Sequence, residues 1–547
     1  DGKKLKLFLD EQLVAEREFS GNISSTPFPL CIGREAETHD QGEHSGRMSK
    51  MIIDEVKVFD KAVSIAELQT ELGDAVLALD FEQDKKDGEF YSVGLGGRTY
   101  GIIWPDREIQ PEIHQIKKSG QPVHFELVDA GKGVVEITNY HHFKNLDELG
   151  GSWELIENGE IIQHGTFKMN LPAQQEKEIF LPFNLGLKSG NGKERILTVS
   201  FKLKENTSWA DAGYEIAWEQ FVLPSEIVPE KQTLTGQIQL NETETEILLN
   251  GNNFNYTIDK SSGRFRSIQF NGEEYIEQGP EFMVWRAPIA NDIDPWGSYM
   301  FERGKMTPGF GRSIDNQLRT LGMRDLTMQV DDIQIKNRNE KVVIEIKAWS
   351  NSSLPVNRRM EWGGKFSAFE RNETWTISLD GTIELEQEIV PHGPMPDMLQ
   401  KAGLQFQLPK EFSNVEWYGR GPFETYPDRK TGARVGIYKS DANEMFVPYI
   451  IPQEYGNRTD VRWLKVENEN GKGLLIKGDE LLNFSLHKYS TDNLSRAMYS
   501  YQLEEAPNTI LNVDYEVSGV GGTAIRQLQQ YRVMPGVKKY RLTIKPI

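Results

Sequence analysis

A single cysteine, Cys31, stands in a chain of 547 residues. No disulfide can close within the chain, and no zinc site can be built on several cysteines. Set between apolar neighbours in LCIGR, Cys31 reads as a buried thiol rather than a nucleophile. A disulfide-free chain fits either redox compartment, so the sequence assigns none. Long apolar runs are missing too, and none approaches the ~20 residues that span a bilayer. The opening DGKKLKLFLD has no long apolar core and no small-residue cleavage site, so it does not read as a signal peptide. It also lacks an initiator Met, which is expected where a leader has been removed or where the sequence begins partway through a longer product. Positive charge is outweighed, with 62 Lys and Arg against 82 Asp and Glu. The formal net charge is -20, and such a chain repels phosphate backbones, which argues against a nucleic-acid partner. Helix signals are few, the clearest being the capping box Ser64–Glu67 that opens SIAELQTEL. A (β/α)₈ barrel needs eight helices and about 250 residues. Nothing here supplies them.

What is present is β-sheet patterning. Aromatics make up 10% of the chain and there are 11 Trp, enough to fill sizeable cores in roughly three or four domains. In TIELEQEIV (Thr382–Val390), Ile383, Leu385 and Ile389 share one face, while Glu384, Glu386 and Glu388 share the other. VVIEIKAW at Val342–Trp349 and ILNVDYEVSGV at Ile510–Val520 repeat the alternation. Period two means half-buried antiparallel strands. Turn signals separate them: Asn250–Gly251, Ser261–Gly263 and Asn271–Gly272. The expected fold is all-β, a string of sandwiches. Four pieces are expected. Residues 1–72 form a first sandwich, and 73–106 an irregular connector. Residues 107–224 form a smaller immunoglobulin-like sandwich, and 225–547 a large all-β region.

Four stretches fit one family when taken together. WYGRGPFETYPDRKTGA (from Trp417), VWRAPIANDID (Val284–Asp294), WADAGYEIAWEQ (Trp209–Gln220) and IIWPDREIQPEIHQIKK (Ile102–Lys118) resemble the C-terminal half of bacterial β-galactosidases of glycoside hydrolase family 2. They occur in the family's order and cover roughly residues 100–547. The resemblance implies an immunoglobulin-like domain followed by a galactose-mutarotase-like supersandwich, after a catalytic barrel. It makes residues 73–106 the remnant of that barrel's end. The N-terminal PLCIGREAETHDQGEHSGRMSKMIIDEVKVFDKAVSIAEL is similar to the closing strands of a laminin-G or concanavalin-like jelly roll, whose opening strands are missing. The chain is therefore expected to begin inside that domain, with the barrel lost upstream or encoded elsewhere. Some relatives carry this half as a separate small subunit, which leaves a two-chain enzyme open.

Retaining glycosidases need two carboxyl groups about 5–5.5 Å apart. The family places both glutamates in short motifs at barrel strand ends. Neither an acid/base-like Gly-Asn-Glu nor a nucleophile-like Glu-Tyr-x-His stretch occurs here, and Glu454–Tyr455 in PQEYGNR belongs to the supersandwich resemblance. No catalytic carboxylate is expected in this chain, and nearly all of its 82 acidic residues are expected to be solvated.

The stretch from Trp417 to Gly436 admits two roles. Arg420, Glu424 and Asp428 would meet sugar hydroxyls, with Trp417 or Tyr426 stacking. Alternatively YPDRKTG is a turn: Pro427 presets φ, Asp428 caps it, Gly432 permits a positive φ, and Arg420 and Arg429 lock the loop onto its carboxylates. The second role is favoured, because the resembling segment mainly braces contacts between domains. VWRAPIANDIDPWGS is the better binding candidate. The family's loop after R-A-P-x-x-N-D reaches the active-site mouth, which makes Asn291, Asp292, Asp294 and Trp296 candidate sugar contacts. The competing role for Trp296 is to cover a neighbouring strand.

Two departures from the family stand out. Many relatives follow G-x-G-G with an acidic run and a stacking Trp, whereas this chain has GVGGTAIRQLQQYRV from Gly519. Arg526 or Gln527 takes that place, which leaves lactose in doubt as the preferred substrate. The intact family often uses magnesium and sodium ions, but Tyr100 and about Gly97 stand where some relatives bind sodium, so no cofactor is expected in this segment. His141–His142 point to opposite faces of a strand and cannot share a metal. His39 and His44 sit in a polar loop that offers at best a weak metal site.

Two functions remain. One is the C-terminal, non-catalytic portion of a β-galactosidase-like hydrolase. Its implied partners are a galactoside or related glycan, an upstream barrel domain or subunit, and further copies of the intact enzyme as a homo-oligomer, with no membrane or nucleic acid. The other is a stand-alone carbohydrate-binding protein. Mutarotase activity would need a Glu/His pair in the last domain, where the only histidines, His392 and His487, lie in no matching motif.

Overall fold

The computed structural model describes residues 4–9, 12–18, 56–59, 77–79, 101–104, 106–185, 193–224, 236–293, 314–338, 341–353, 366–497, 499–522 and 527–547. The described residues are mostly strands. Within the first 79 residues they comprise a hairpin of Lys4–Leu9 with Gln12–Glu18 and a short pairing of Val56–Val58 with Leu77–Leu79. The rest of the expected jelly roll, Cys31, His39, His44, the Ser64 capping box and most of the connector lie outside the described residues. No described helix is long and apolar enough to cross a membrane.

Between Val123 and Leu223 the chain forms a sandwich of antiparallel sheets. Three strands, Val123–Asp129, Val134–Asn139 and Glu176–Phe180, form one sheet. The other runs in the order Glu215–Leu223, Arg195–Leu203, Leu149–Glu157, Glu160–Phe167. Three against four is the immunoglobulin-like count. Alternation turns Val123, Phe125, Val135, Ile137, Trp153, Leu155, Leu197, Val199 and Phe201 into one core between the sheets.

A helix the strand reading did not foresee, Glu112–Ser119, precedes this sandwich. Its signals are ordinary ones. Pro111 stands before it, Glu112 lies in the first turn, Lys117 and Lys118 in the last, and Gly120 at the end.

The C-terminal region holds a five-stranded sheet, Gln239 to Glu274, packed on a twelve-stranded one. Ile247, Leu249, Phe254, Tyr256 and Phe265 from the first meet Ile344, Trp375, Ile377, Leu385 and Leu542 from the second. Asn271 and Gly272 both take positive φ, as a two-residue turn from Phe270 to Glu273 requires. Three strands, Asn414–Gly421, Arg434–Asp441 and Arg458–Glu467, branch off the Gly473–His487 strand.

The Ile383–His392 and Lys341–Ser352 strands bury their apolar faces in this core. Thr509–Val517 behaves differently. It is buried on both faces, because Asn512 and Asp514 on its polar side meet Lys401 of the neighbouring Lys401–Leu408 strand.

Candidate functional site

The segment after the Gln278–Met283 strand runs inward, and Arg286 is fully buried. A buried guanidinium must be paired and hydrogen-bonded on all sides. Arg286 Nε donates to Asp292 Oδ2 at 3.1 Å, Nη1 to the Ser518 carbonyl at 2.8 Å and Nη2 to the Gly519 carbonyl at 3.0 Å. Asp292, equally buried, also accepts from Gln400 Nε2 at 3.0 Å and the Ile289 N–H at 3.3 Å. The Gln400 side-chain oxygen accepts the Arg286 backbone N–H at 3.0 Å. Helix Ala290–Ile293 follows, and Asn291 Nδ2 donates to the Val520 carbonyl at 2.6 Å.

Residues 518–521 are thus held from one side by the RAPIAND segment. From another side, Asp428 accepts the N–H groups of Val520 at 3.0 Å and Gly521 at 2.7 Å. Gln527 Nε2 closes the arrangement on the Gly519 carbonyl at 2.7 Å. A Cβ at Gly519 would lie 2.4 Å from the Asp428 carboxyl and would push it out of its present position. Asp294, Trp296 and Arg526 lie outside the described residues, as do Tyr100 and Gly97.

The structure brings Asn291, Asp292 and Asp428 together, but as internal anchors. Asp292 faces Arg286 and not solvent. Asp428 caps the 518–521 backbone rather than its own turn. That turn closes through the paired N–H and carbonyl groups of Tyr426 and Arg429. Gln527 is buried and grips Gly519, so it does not fill the place of a stacking side chain.

The other candidates work between domains. Trp417 and Tyr426 are buried and offer no face to a sugar. Glu424 is buried against Arg429, the Tyr449 hydroxyl and the Gly456 N–H. Burial pushes its carboxyl up to about 7 in spite of those donors. Arg429 also pairs with Glu112 at the start of the helix. Arg420 pairs with Asp460, not with a carboxylate of its own stretch, and donates to the Lys430 and Ala433 carbonyls. Burial opposes the Asp460 charge, yet Arg420 and Lys430 hold that carboxylate below its usual range. Gly432 has no positive φ. Its role is close approach, since a Cβ there would lie 2.8 Å from the His114 carbonyl. Nearby, the His114 ring stacks on Phe423 at 3.9 Å. Gln220 exchanges two hydrogen bonds with the Val435 backbone, and Glu194 binds both Tyr418 and Arg462. This stretch joins the helix and the smaller sandwich to the larger region.

A few carboxyl groups are the exceptions to the expectation that nearly all of the acids are solvated. Beside Asp292 and Glu424 stand Glu373, Glu454 and Asp514. Burial raises Asp514 to about 6, although Lys401 Nζ lies 3.3 Å away. Burial likewise raises Glu454, near Lys401 and Arg286. His487 Nε2 lies 2.8 Å from the Tyr455 carbonyl, and burial lowers its ring to about 4. His392 pairs instead with Glu370 at the surface. Among the described residues no group of three His, Cys, Asp or Glu side chains is arranged to hold a metal.

A protein with this architecture is a tandem β-sandwich whose buried charges tie residues 286–292 to residues 518–519. Residues 250–545 match the family model described as "Beta galactosidase small chain", and residues 135–224 match "Beta-galactosidase, domain 4". The chain belongs to the β-galactosidase small-chain family. It is 31% identical over 444 residues to a β-galactosidase of Priestia megaterium, covering 81% of this chain and 39% of that protein. With a β-galactosidase of Actinobacillus pleuropneumoniae it shares 26% identity over 471 residues, 85% of this chain and 42% of the other. The chain thus spans about two fifths of the length of these relatives. A galactose 1-epimerase structure from Lactobacillus acidophilus aligns over 58% of this chain and 99% of its own, at 9% identity and a TM-score of 0.28. That level bears no weight on chemistry.

Proposed function

We propose that this chain is the non-catalytic C-terminal portion of a β-galactosidase-like retaining hydrolase, where it shapes the mouth of the substrate cleft and supports assembly. The observation that carries the proposal is the convergence of Arg286–Asp292, Asn291 and Asp428 on residues 518–521. Two loop roots are fixed side by side by a fully desolvated ion pair, which is how a rim is preorganised. Trp296 then stacks on the apolar face of a galactoside, while Asp294 and Arg526 meet its hydroxyls. The carboxylates of the cluster are already engaged. Asp292 is taken by Arg286, Glu424 by Arg429 and Tyr449, and Asp514 by Lys401. A retaining mechanism needs a free nucleophile and a proton donor facing one sugar. In this reading both belong to a barrel domain or subunit, the intact enzyme is a homo-oligomer, and this segment holds no cofactor.

The test is Asp428→Ala in the intact enzyme. Freeing the Val520 and Gly521 N–H groups loosens the rim, so KM for a galactoside rises while kcat stays within about tenfold of the parent. A loss of about a thousandfold in kcat at unchanged KM would make Asp428 part of the bond-breaking machinery. No change in either constant would remove its positioning role. Either result overturns the proposal.

A further inference from the structure

The twelve-stranded sheet contains an opening with its own chemistry. Strand Gly473–His487 pairs with Lys538–Pro546 over Leu474–Gly478, then crosses to Thr509–Val517 over Asn483–His487. Past the crossing, Lys538–Pro546 continues along Ile383–His392, and Thr509–Val517 along Lys401–Leu408. The two strands therefore part, and no ladder joins them. Tyr515 and Tyr540 bridge the gap by stacking, with centroids 3.9 Å apart and planes 6° from parallel. A cavity of about 560 Å³ opens there, within the size range of small-ligand sites.

Its lining is polar and mixed in charge. Glu386, Glu388, Asp479 and Glu480 face Lys539 and Arg541, a net excess of two negative charges (four minus two). Arg541 joins Glu386 at 2.6 Å and Asp479 at 3.2 Å, while Lys539 holds Glu388 at 3.0 Å. Such pairs leave acceptors and donors side by side, which suits vicinal hydroxyls and disfavours an anion. Two lining groups are buried without a partner among the described residues. These are Gln387 Oε1, whose amide nitrogen is committed to Glu373 at 2.7 Å, and the Tyr515 hydroxyl. Both atoms are closed to solvent, so the groups that a ligand meets are the ion pairs of the lining. Leu481, 48% exposed, and the tyrosine pair supply apolar surface for C–H groups.

We propose that this opening binds a neutral saccharide of one or two sugar units. The cavity shares no residue with the cluster around Arg286, so the proposal stands apart from the rim reading. The site holds sugar without cutting it, because Arg541 and Lys539 already engage three of its four carboxylates.

The test is calorimetry on the 547-residue chain with lactose, maltose and cellobiose, and with galacturonate and spermidine as charged controls. At least one neutral disaccharide gives saturable heat, and the charged probes give none. Arg541→Ala removes the donor between Glu386 and Asp479, and Thr374→Trp, at a residue that lines the cavity, fills it. Each weakens binding by about tenfold or more, with the circular-dichroism melt unchanged for Arg541→Ala, a half-exposed position. Three results overturn the proposal. One is no saturable heat with any of the three disaccharides. Another is binding that survives Arg541→Ala and Thr374→Trp alike. The last is saturable heat with spermidine or galacturonate in their place.

Discussion

Two strands of the large region carry the same written pattern and meet different fates. Ile383–His392 alternates apolar side chains with Glu384, Glu386 and Glu388, and its acidic face lies toward solvent, tied to Lys539 and Arg541. Thr509–Val517 alternates apolar side chains with Asn512 and Asp514, and that polar face is buried against Lys401. Period two fixes which residues share a face, but not what lies opposite. The first strand's partners across its polar face are long cations that reach water. Both strands lie between two others, but the second meets a neighbouring lysine that is itself buried. A polar residue in a strand therefore marks a surface only when the opposing element leaves room for water.

The largest test of this contrast removes one member of each kind of pair. Asp292→Ala leaves the Arg286 guanidinium buried and unpaired, and should cost about 3–5 kcal/mol of stability by denaturant titration. A loss below 1 kcal/mol would mean that the pair reaches water.

A smaller effect should appear with pH. The Glu424 carboxyl is raised from 4.5 to about 7, so between those values the folded state holds a proton that the unfolded state releases. Stability contributed by this group is present at low pH and is lost as pH rises through that window, by up to roughly 3 kcal/mol. His487 acts oppositely. Its ring is lowered from 6.5 to about 4, so its contribution is lost as pH falls through that range. Glu424→Gln should therefore flatten the fall in thermal stability between pH 4.5 and 7 relative to the parent. Identical profiles for the two proteins would show that the carboxyl titrates normally.

Least affected should be the solvent-facing strand. Glu386→Ala breaks a pair whose members are both about half exposed, and should change stability by about 0–1 kcal/mol. A loss near that of Asp292→Ala would erase the contrast.

The sequence made the sandwiches legible because alternation and turn chemistry are local. The Asn271–Gly272 turn needs only its own φ angles, and Ile383, Leu385 and Ile389 need only their spacing. Helix Glu112–Ser119 was legible too, through Pro111, Glu112, the lysine pair and Gly120, but it stood in a stretch valued for its resemblance. The site was half legible. Asn291, Asp292 and Asp428 do gather in one place, yet their partners Gln400, Val520 and Gly521 lie about a hundred residues or more away. No spacing rule reports contacts of that range. Buried Glu454 and Lys401 were missed for the same reason, because desolvation is a property of the packed core.

The central claim is that the acids of this chain clamp its own backbone and that bond cleavage needs groups from outside it. The most direct measurement is hydrolysis of a chromogenic β-galactoside by the purified 547-residue chain at saturating substrate. The account predicts no turnover above the uncatalysed rate. Turnover at the rate of a complete β-galactosidase, abolished by replacing a carboxylate within this chain, would contradict it.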